Sequence, residues 1–221
     1  MTRENYIQRV KVKLEEISPF DEPQSFIVAD GDPDYQKVKP IISYIEESLD
    51  EATRDCLNNL PLSLLASDID DDKECFHIDK HGVGHVNGFD EYKRFVRVAS
   101  PVWERDVTAF ITSSDPLYLL QQNKYTRGKC AKPVVVYVPE HQELELYSFP
   151  PHMRPEDCGD CASYHAKVYY IDCRKKAEKV SSHIEDFIVL RCAALVLEIL
   201  KDQNAAAMMT EYNNKLNDIL K

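Results

Sequence analysis

The period of the hydrophobic pattern changes twice along this chain of 221 residues. Near both ends, apolar residues recur every three or four positions, which is the spacing of one face of an α-helix. From about residue 74 to about residue 175, short runs of β-branched and aromatic residues alternate with Gly, Pro and Asn, a pattern typical of strands and turns. The sequence therefore predicts an α+β protein, in which N- and C-terminal helices form a helical bundle with an inserted antiparallel β module.

The predicted boundaries follow the same change of pattern. We expect residues 1–65 and 180–221 to form the bundle and residues 66–179 to form the β-rich module with long loops, all within one compact unit. The helix that follows Pro40 should end before Pro61, because proline cannot continue a helix. The segment "SHIEDFIVLRCAALVLEIL", residues 182–200, is apolar around most of its circumference and is predicted to be the central, buried helix.

The charge balance excludes one class of function. The chain has 27 Lys and Arg against 38 Asp and Glu, a net charge of −11, whereas a duplex-DNA binder needs clustered cations to neutralise phosphates. No apolar run approaches the ~20 residues that span a bilayer, and the first residues do not contain a signal-peptide core. We expect no membrane association, and a protein that stays where it is made or leaves inside a larger particle.

The sequence "PEDCGDCASYH", residues 155–165, contains the strongest candidates for chemistry. Cys158, Cys161 and His165 could hold a metal or carry out thiol redox chemistry. A structural zinc site normally needs a second pair of ligands, and three carboxylates in the same loop raise the pKa of its thiols. An ordinary loop is the favoured interpretation, and a zinc- or thiol-dependent protein centred on Cys158 and Cys161 is the alternative. We expect reduced cysteines, no cofactor and no catalytic residue.

Two further clusters are expected to be structural. The run "SDIDDDKECFHID" resembles a calcium loop but has Lys73 where a glycine is required, so a solvated turn is expected. His77, His81 and His85 are four residues apart, but Gly82 and Gly84 argue against a helix that would group them. We expect strand register to spread these histidines apart on the surface.

The middle of the chain has the most informative pattern, from "FDEYKRFVRVASPVWERDV" through "PLYLLQQNKYTRGKCAKP" to "LELYSF". It resembles the head-to-tail connector (adaptor) ring proteins of short-tailed bacteriophages, and in particular the tail-barrel ring proteins of crAss-like phages. The residues that carry the resemblance are Phe95, Arg97, Val98, Trp103, Arg105, Val107, Pro116, Leu117, Tyr118, Lys132, Pro133, Leu144, Leu146 and Tyr147, together with the "QQNKYTRG" turn. Helical patterns flank this stretch on both sides, so the resemblance covers nearly the whole chain.

The resemblance implies a structural role in the virion rather than catalysis. Proteins of this kind form a homo-oligomeric ring, a dodecamer, under the portal protein, contact adjacent tail ring proteins and let genomic DNA pass without sequence-specific binding. Their place is the neck or tail of the virion, assembled in the host cytoplasm. An acidic subunit suits this role, because like charge on a channel wall repels phosphate.

A ring of identical subunits joins different patches at each interface, and exposed aromatic residues are suited to anchoring such contacts. We therefore predict inter-subunit contacts at Trp103, Arg105, Tyr118, Tyr125 and Arg127, with the "QQNKYTRG" turn as a docking element. Tyr137 and Tyr147 are further candidates.

Overall fold

The fold is α+β, as the sequence predicts. The structure is a computed structural model and describes residues 1–17, 25–26, 39–79, 81–149 and 165–220. These residues fall into two compact units: a helical unit formed by Met1–Asp68 and Cys173–Lys221, and a β unit formed by Ile69–Asp172.

The described residues of the helical unit form four α-helices: α1 (Arg3–Ile17), α2 (Ile41–Asn59), α4 (Glu185–Ile199) and α5 (Ala205–Ile219). A short two-stranded pairing, β1 (Ser25–Phe26) with β2 (Lys39–Pro40), precedes α2. Helix α2 begins directly after Pro40 and ends before Pro61, as predicted. Helix α4 packs against α1, α2 and α5, and ten of its fifteen residues are buried. The prediction of a central buried helix is confirmed.

In the part of the β unit that the structure describes, the chain forms two sheets and one short α-helix. Strands β3 (Asp70–Cys75), β10 (His165–Asp172) and β6 (Lys93–Ala99) form an antiparallel sheet in the order β3-β10-β6. The second sheet contains five strands: β4 (His77–Ile78), β5 (Val83–Asn87), β7 (Ile111–Thr112), β8 (Val134–Val138) and β9 (Glu143–Tyr147). Their order in the sheet is β4-β5-β9-β8-β7, and all neighbours are antiparallel except the β7–β8 pair. Helix α3 (Leu117–Gln121) lies between β7 and β8 in the sequence.

The β unit has apolar clusters on both faces of its larger sheet. The main core contains side chains from both sheets, among them Val86, Leu144 and Leu146 from the larger one and Val98 and Val168 from the smaller one. Side chains alternate between the two faces of a strand, so the opposite face of the larger sheet carries a second cluster, formed by Val83, Val136, Val138 and Tyr147. Helix α3 contributes Tyr118 to this second cluster.

The predicted β-rich module covers residues 66–179, and the β unit that contacts define is Ile69–Asp172. The chain that follows β10 belongs to the helical unit, with which its side chains form polar contacts. Cys173 Sγ lies 3.0 Å from Asn58 Oδ1, and Lys176 Nζ lies 2.5 Å from Asp50 Oδ2. These polar contacts join residues that the local hydrophobic pattern does not relate to each other.

Candidate functional site

The candidate metal and thiol residues are only partly within the described chain. Cys158 and Cys161 lie outside the described residues. His165 is the first residue of β10, half-buried, and its backbone pairs with that of Cys75 on β3. Among the residues that the structure describes, no group of three or more His, Cys, Asp or Glu side chains has a metal-binding arrangement.

The acidic run does not form a calcium loop. Asp68 turns toward Ser181, Asp70 and Asp72 lie on β3, and Asp79 lies in the turn between β4 and β5. Asp79 Oδ1 accepts hydrogen bonds from the backbone N–H groups of His81, at 2.8 Å, and Val83, at 2.9 Å. This carboxylate therefore stabilises a hairpin turn. The run as a whole is not the solvated turn that we expected, because Asp70–Cys75 form strand β3 and Asp68 is only 2% exposed.

The expectation that strand register separates the three histidines is wrong for two of them. His77 and His85 are direct partners in the β4–β5 ladder, because the hairpin folds back between them. His85 Nδ1 lies 2.5 Å from Glu143 Oε1, and its Nε2 lies 3.8 Å from Asp79 Oδ2.

The five predicted contact residues have very different surroundings. Trp103 is only 8% exposed and belongs to the main core of the β unit, with its ring centroid 5.8 Å from that of Phe149. This position supports a role in packing within the subunit, not the surface contact that we predicted. Arg105 is exposed, Tyr118 and Arg127 are half-buried, and Tyr125 is the most exposed of the five at 77%.

Tyr125 belongs to a surface that we call the 117–132 segment, which starts with α3 and ends before Pro133. Three of the five residues of α3 are exposed leucines: Leu117 at 50%, Leu119 at 72% and Leu120 at 47%. A single turn of helix can bury only one face, and here that face is occupied by Tyr118 and Gln121. Exposed leucines near an exposed tyrosine in the sequence make this segment the candidate interaction surface, since contiguous exposed apolar patches are typical of such surfaces.

Side-chain hydrogen bonds hold the backbone of the 117–132 segment. Gln121 is 7% exposed, and its Oε1 accepts a hydrogen bond from Gly128 N at 3.0 Å. Thr126 Oγ1 donates to Leu120 O at 2.6 Å, and Asn123 Oδ1 accepts from Tyr125 N at 3.0 Å. The exposed leucines are thus presented on a backbone with a defined shape, which lowers the entropic cost of binding.

Close packing fixes the second half of the segment to the larger sheet. A Cβ atom at Gly128 would lie 2.1 Å from Tyr147 O and 3.0 Å from Val134 N. Only glycine allows this approach, because any side chain would overlap the strand backbone. Cys130 strengthens the attachment with a contact of 3.0 Å from Sγ to Ser148 O.

The segment is also basic. Residues 116–139 contain four cations, Lys124, Arg127, Lys129 and Lys132, and no carboxylate side chain, in a chain of net charge −11. The three lysines are exposed. None of the four cations forms an ion pair with another residue in the described part of the chain.

The sequence pattern pointed to the "QQNKYTRG" turn, but it did not reveal that the leucines of α3 are exposed or that positive charge is concentrated in this segment.

A groove of about 1130 Å³ lies beside the segment, between it and the β4–β5 hairpin. Polar contacts connect the residues of its floor: Tyr147 Oη donates to Glu145 Oε2 at 2.7 Å, and Gln122 Nε2 donates to Tyr147 Oη at 3.2 Å. Burial raises the pKa of Tyr147, and the neighbouring Glu145 carboxylate raises it further. Burial likewise raises the pKa of Tyr118. Both phenols therefore stay protonated near neutral pH and act as hydrogen-bond donors.

No protein-family model matches the sequence, and no curated protein matches it. None of the described helices combines the length and the apolar character needed to cross a membrane.

Proposed function

We propose that this chain is a structural subunit of a bacteriophage head-to-tail connector, which assembles with copies of itself into a ring between the portal protein and the tail. The observation that carries the proposal is the 117–132 segment: an exposed apolar and basic surface on an ordered backbone. The connector proteins that this chain resembles form dodecameric rings. In this proposal the ring of this chain is part of the virion neck or tail, and it is assembled in the host cytoplasm.

Two features of the molecule support this function. The α+β architecture, with a β unit inserted between helical segments, agrees with the fold that the resemblance implies. The 117–132 segment contains the "QQNKYTRG" turn, which we predict to be a docking element, and its side chains have the character of an interface. Leu119 and Tyr125 are more than two-thirds exposed. Full burial of a leucine side chain such as that of Leu119 contributes about 1.5–3 kcal/mol, against which the entropic cost of association counts.

The proposal also accounts for the charge of the chain. Genomic DNA passes through a connector ring without sequence-specific binding, and an acidic protein surface discourages adhesion of phosphates. With a net charge of −11, a ring of such subunits provides that surface over most of its area. The subunit contributes no catalysis in this proposal; its interfaces position the portal protein and the adjacent tail ring proteins.

Imaging and mass measurement of the purified full-length chain test the proposal. We expect negative-stain electron microscopy and mass photometry to show closed rings, either with the chain alone or after co-expression with the portal protein of the same phage. A chain that remains monomeric in both preparations contradicts the proposed function.

A pair of variants tests the surface that carries the proposal. Leu119→Ser combined with Tyr125→Ser removes two exposed apolar side chains and should strongly reduce ring formation while the fold is kept. Val12→Ser is the matched control, because Val12 is 51% exposed on α1, far from the segment in sequence. We expect the control to form rings as the wild type does.

A further inference from the structure

We propose that the 117–132 segment of one copy binds the exposed acidic face of α2 on a neighbouring copy. This inference rests on the proposed function and goes further, since it names the partner surface and the chemistry by which it is recognised.

The first argument is the isolation of positive charge in the 117–132 segment. Lys124, Lys129 and Lys132 are exposed, and no carboxylate occurs between Asp115 and Glu140. Lysines without an ion-pair partner, close to exposed leucines, are complementary to an acidic surface that also has exposed apolar side chains. Lys124 Nζ lies 4.9 Å from the ring centroid of Tyr125, so charge and aromatic surface are adjacent.

Helix α2 presents the matching surface. It contains five carboxylates and a single cation, Arg54. Glu46, Glu47 and Glu51 are exposed, and Ile42 is 40% exposed. Ile42 and Glu46 are four residues apart and are therefore neighbours on the helix surface. Ile42 and Glu46 thus combine apolar area with negative charge on one face of α2, as the 117–132 segment combines apolar area with positive charge. Glu47 and Glu51, also four residues apart, add negative charge on the adjoining face.

Several carboxylates, including Asp50 and Asp55 of α2 itself, are already engaged within the subunit. Asp71 pairs with Lys167 at 2.7 Å and Asp55 with Arg191 at 2.8 Å. Asp186 pairs with both Arg9 and Lys215. A partner's lysines would have to compete for these groups, whereas Glu46 and Glu51 form no side-chain ion pair in the described part of the chain.

The two surfaces differ from each other, so their contact joins copies head to tail. An interface of this kind leaves one free surface of each type at the ends of any short assembly, and it closes into a ring when the rotation between copies allows. The proposed docking therefore provides the kind of contact that a connector ring needs.

Charge reversal in both surfaces tests the proposal. The first variant carries Lys124→Glu and Lys129→Glu, and the second carries Glu46→Lys and Glu51→Lys. Each variant alone places like charges together, which should weaken self-association about 100-fold or more. An equimolar mixture restores opposite charges at every contact, so the mixture should assemble although neither variant does. Circular dichroism of each variant establishes that the fold is retained.

The outcomes of mass photometry and electron microscopy separate this proposal from the proposed function. If the wild type forms rings and either variant alone assembles equally well, the docking is wrong and the connector function stands. If neither variant assembles and their mixture does not recover, the α2 partner is wrong. If the wild type forms open chains that respond to charge reversal, the docking holds and the ring does not.

Nucleic acid is the competing partner for a basic surface, and fluorescence anisotropy with a labelled DNA duplex tests it in the same variants. We expect no DNA binding that depends on Lys124 and Lys129. Tight binding that these substitutions abolish, with self-association unchanged, would overturn the proposal. Raising salt from about 0.05 M to about 0.5 M should also weaken wild-type assembly, because exposed charges are screened.

Discussion

Both carboxylate oxygens of Asp68 are bound by one residue, Ser181: Oδ1 accepts the backbone N–H at 2.8 Å and Oδ2 accepts the hydroxyl at 2.7 Å. Asp68 is 2% exposed, and the two residues are 113 positions apart in the sequence. The pair therefore ties together the two separate stretches of chain that form the helical unit. The backbone oxygen of Asp68 also accepts a hydrogen bond from Lys175 Nζ at 2.7 Å.

Replacing Asp68 by Ala should destabilise the helical unit by about 1–3 kcal/mol, because the Ser181 N–H and hydroxyl lose their acceptor. Ser181→Ala removes only the hydroxyl bond and should cost less, about 1 kcal/mol. Urea denaturation followed by far-ultraviolet circular dichroism measures both effects. An unchanged midpoint in the Asp68→Ala variant would show that the pair does not contribute to stability.

Trp103 should be important for the stability of the β unit. Trp103→Ala removes a large side chain from a packed core and should cost about 3–5 kcal/mol in denaturant unfolding. Trp103→Phe should cost less, because the indole Nε1 is buried without a hydrogen-bond partner in the described structure. Arg105→Ala, on an exposed neighbour, is the control and should change stability by less than about 0.5 kcal/mol. Equal effects of Trp103→Ala and Arg105→Ala would contradict the core position of the indole.

Gly128→Ala should displace the 117–132 segment, because the added methyl group overlaps Tyr147 O. We expect a loss of about 1–3 kcal/mol in stability, together with weaker self-association in mass photometry. Gly88→Ala is the matched control: its φ of +94° strains an alanine, but no atom lies within 4 Å of the added Cβ. The control should lose stability and keep its association, so parallel loss of association in both variants would argue against the role of the segment.

The Asp186 carboxylate should make stability depend on pH in the acid range. Hydrogen bonds from Lys215 and Arg9 lower its pKa below the ordinary value of 3.8. A lowered folded-state pKa contributes stability that is present above the unfolded pKa and is lost as pH falls through the folded pKa. Asp186→Asn should therefore be less stable than the wild type at pH 7, and this difference should shrink as the pH falls below about 4.

The carboxylate is 44% exposed, so we expect the difference at pH 7 to be less than about 1 kcal/mol. About 0.5 M salt should reduce it further, since exposed pairs are screened. Thermal unfolding at a series of pH values measures the effect. A difference that does not change between pH 7 and pH 2 would show that the ion pairs do not contribute.

The helices could be predicted from the sequence because their burial follows from local periodicity. The predicted stripe runs through Val38, Ile41, Ile42, Ile45, Leu49, Ala52 and Cys56. Val38 lies outside the described residues, Ile42 is 40% exposed, and the other five residues are buried in α2. Cys56 and Cys192 are fully buried on the apolar faces of their helices, and burial raises the pKa of each thiol to about 12. In these segments the local pattern and the tertiary packing agree.

Nonlocal pairing limited what the sequence could predict about the candidate site. Trp103 is buried because it packs against residues such as Phe149, which is 46 positions further along the chain. Aromatic residues are common both in cores and in interfaces, so the residue type alone does not distinguish the two. The pairing of His77 with His85 depends on where the hairpin turns, and Asp79 fixes that turn through its side chain. Leu119 and Leu120 are exposed because α3 is only five residues long, and a helix this short has no recognisable hydrophobic period in the sequence.

The β unit is a single insertion whose first and last strands are antiparallel neighbours, with Asp70 opposite Tyr170. Partners in such a ladder have Cα atoms only about 5 Å apart, so the chain leaves the unit beside the point where it entered. A linker of about two residues could bridge that gap. Such an insertion can be exchanged without cutting a helix, so the 117–132 segment can be replaced together with the β unit while the helical scaffold is kept.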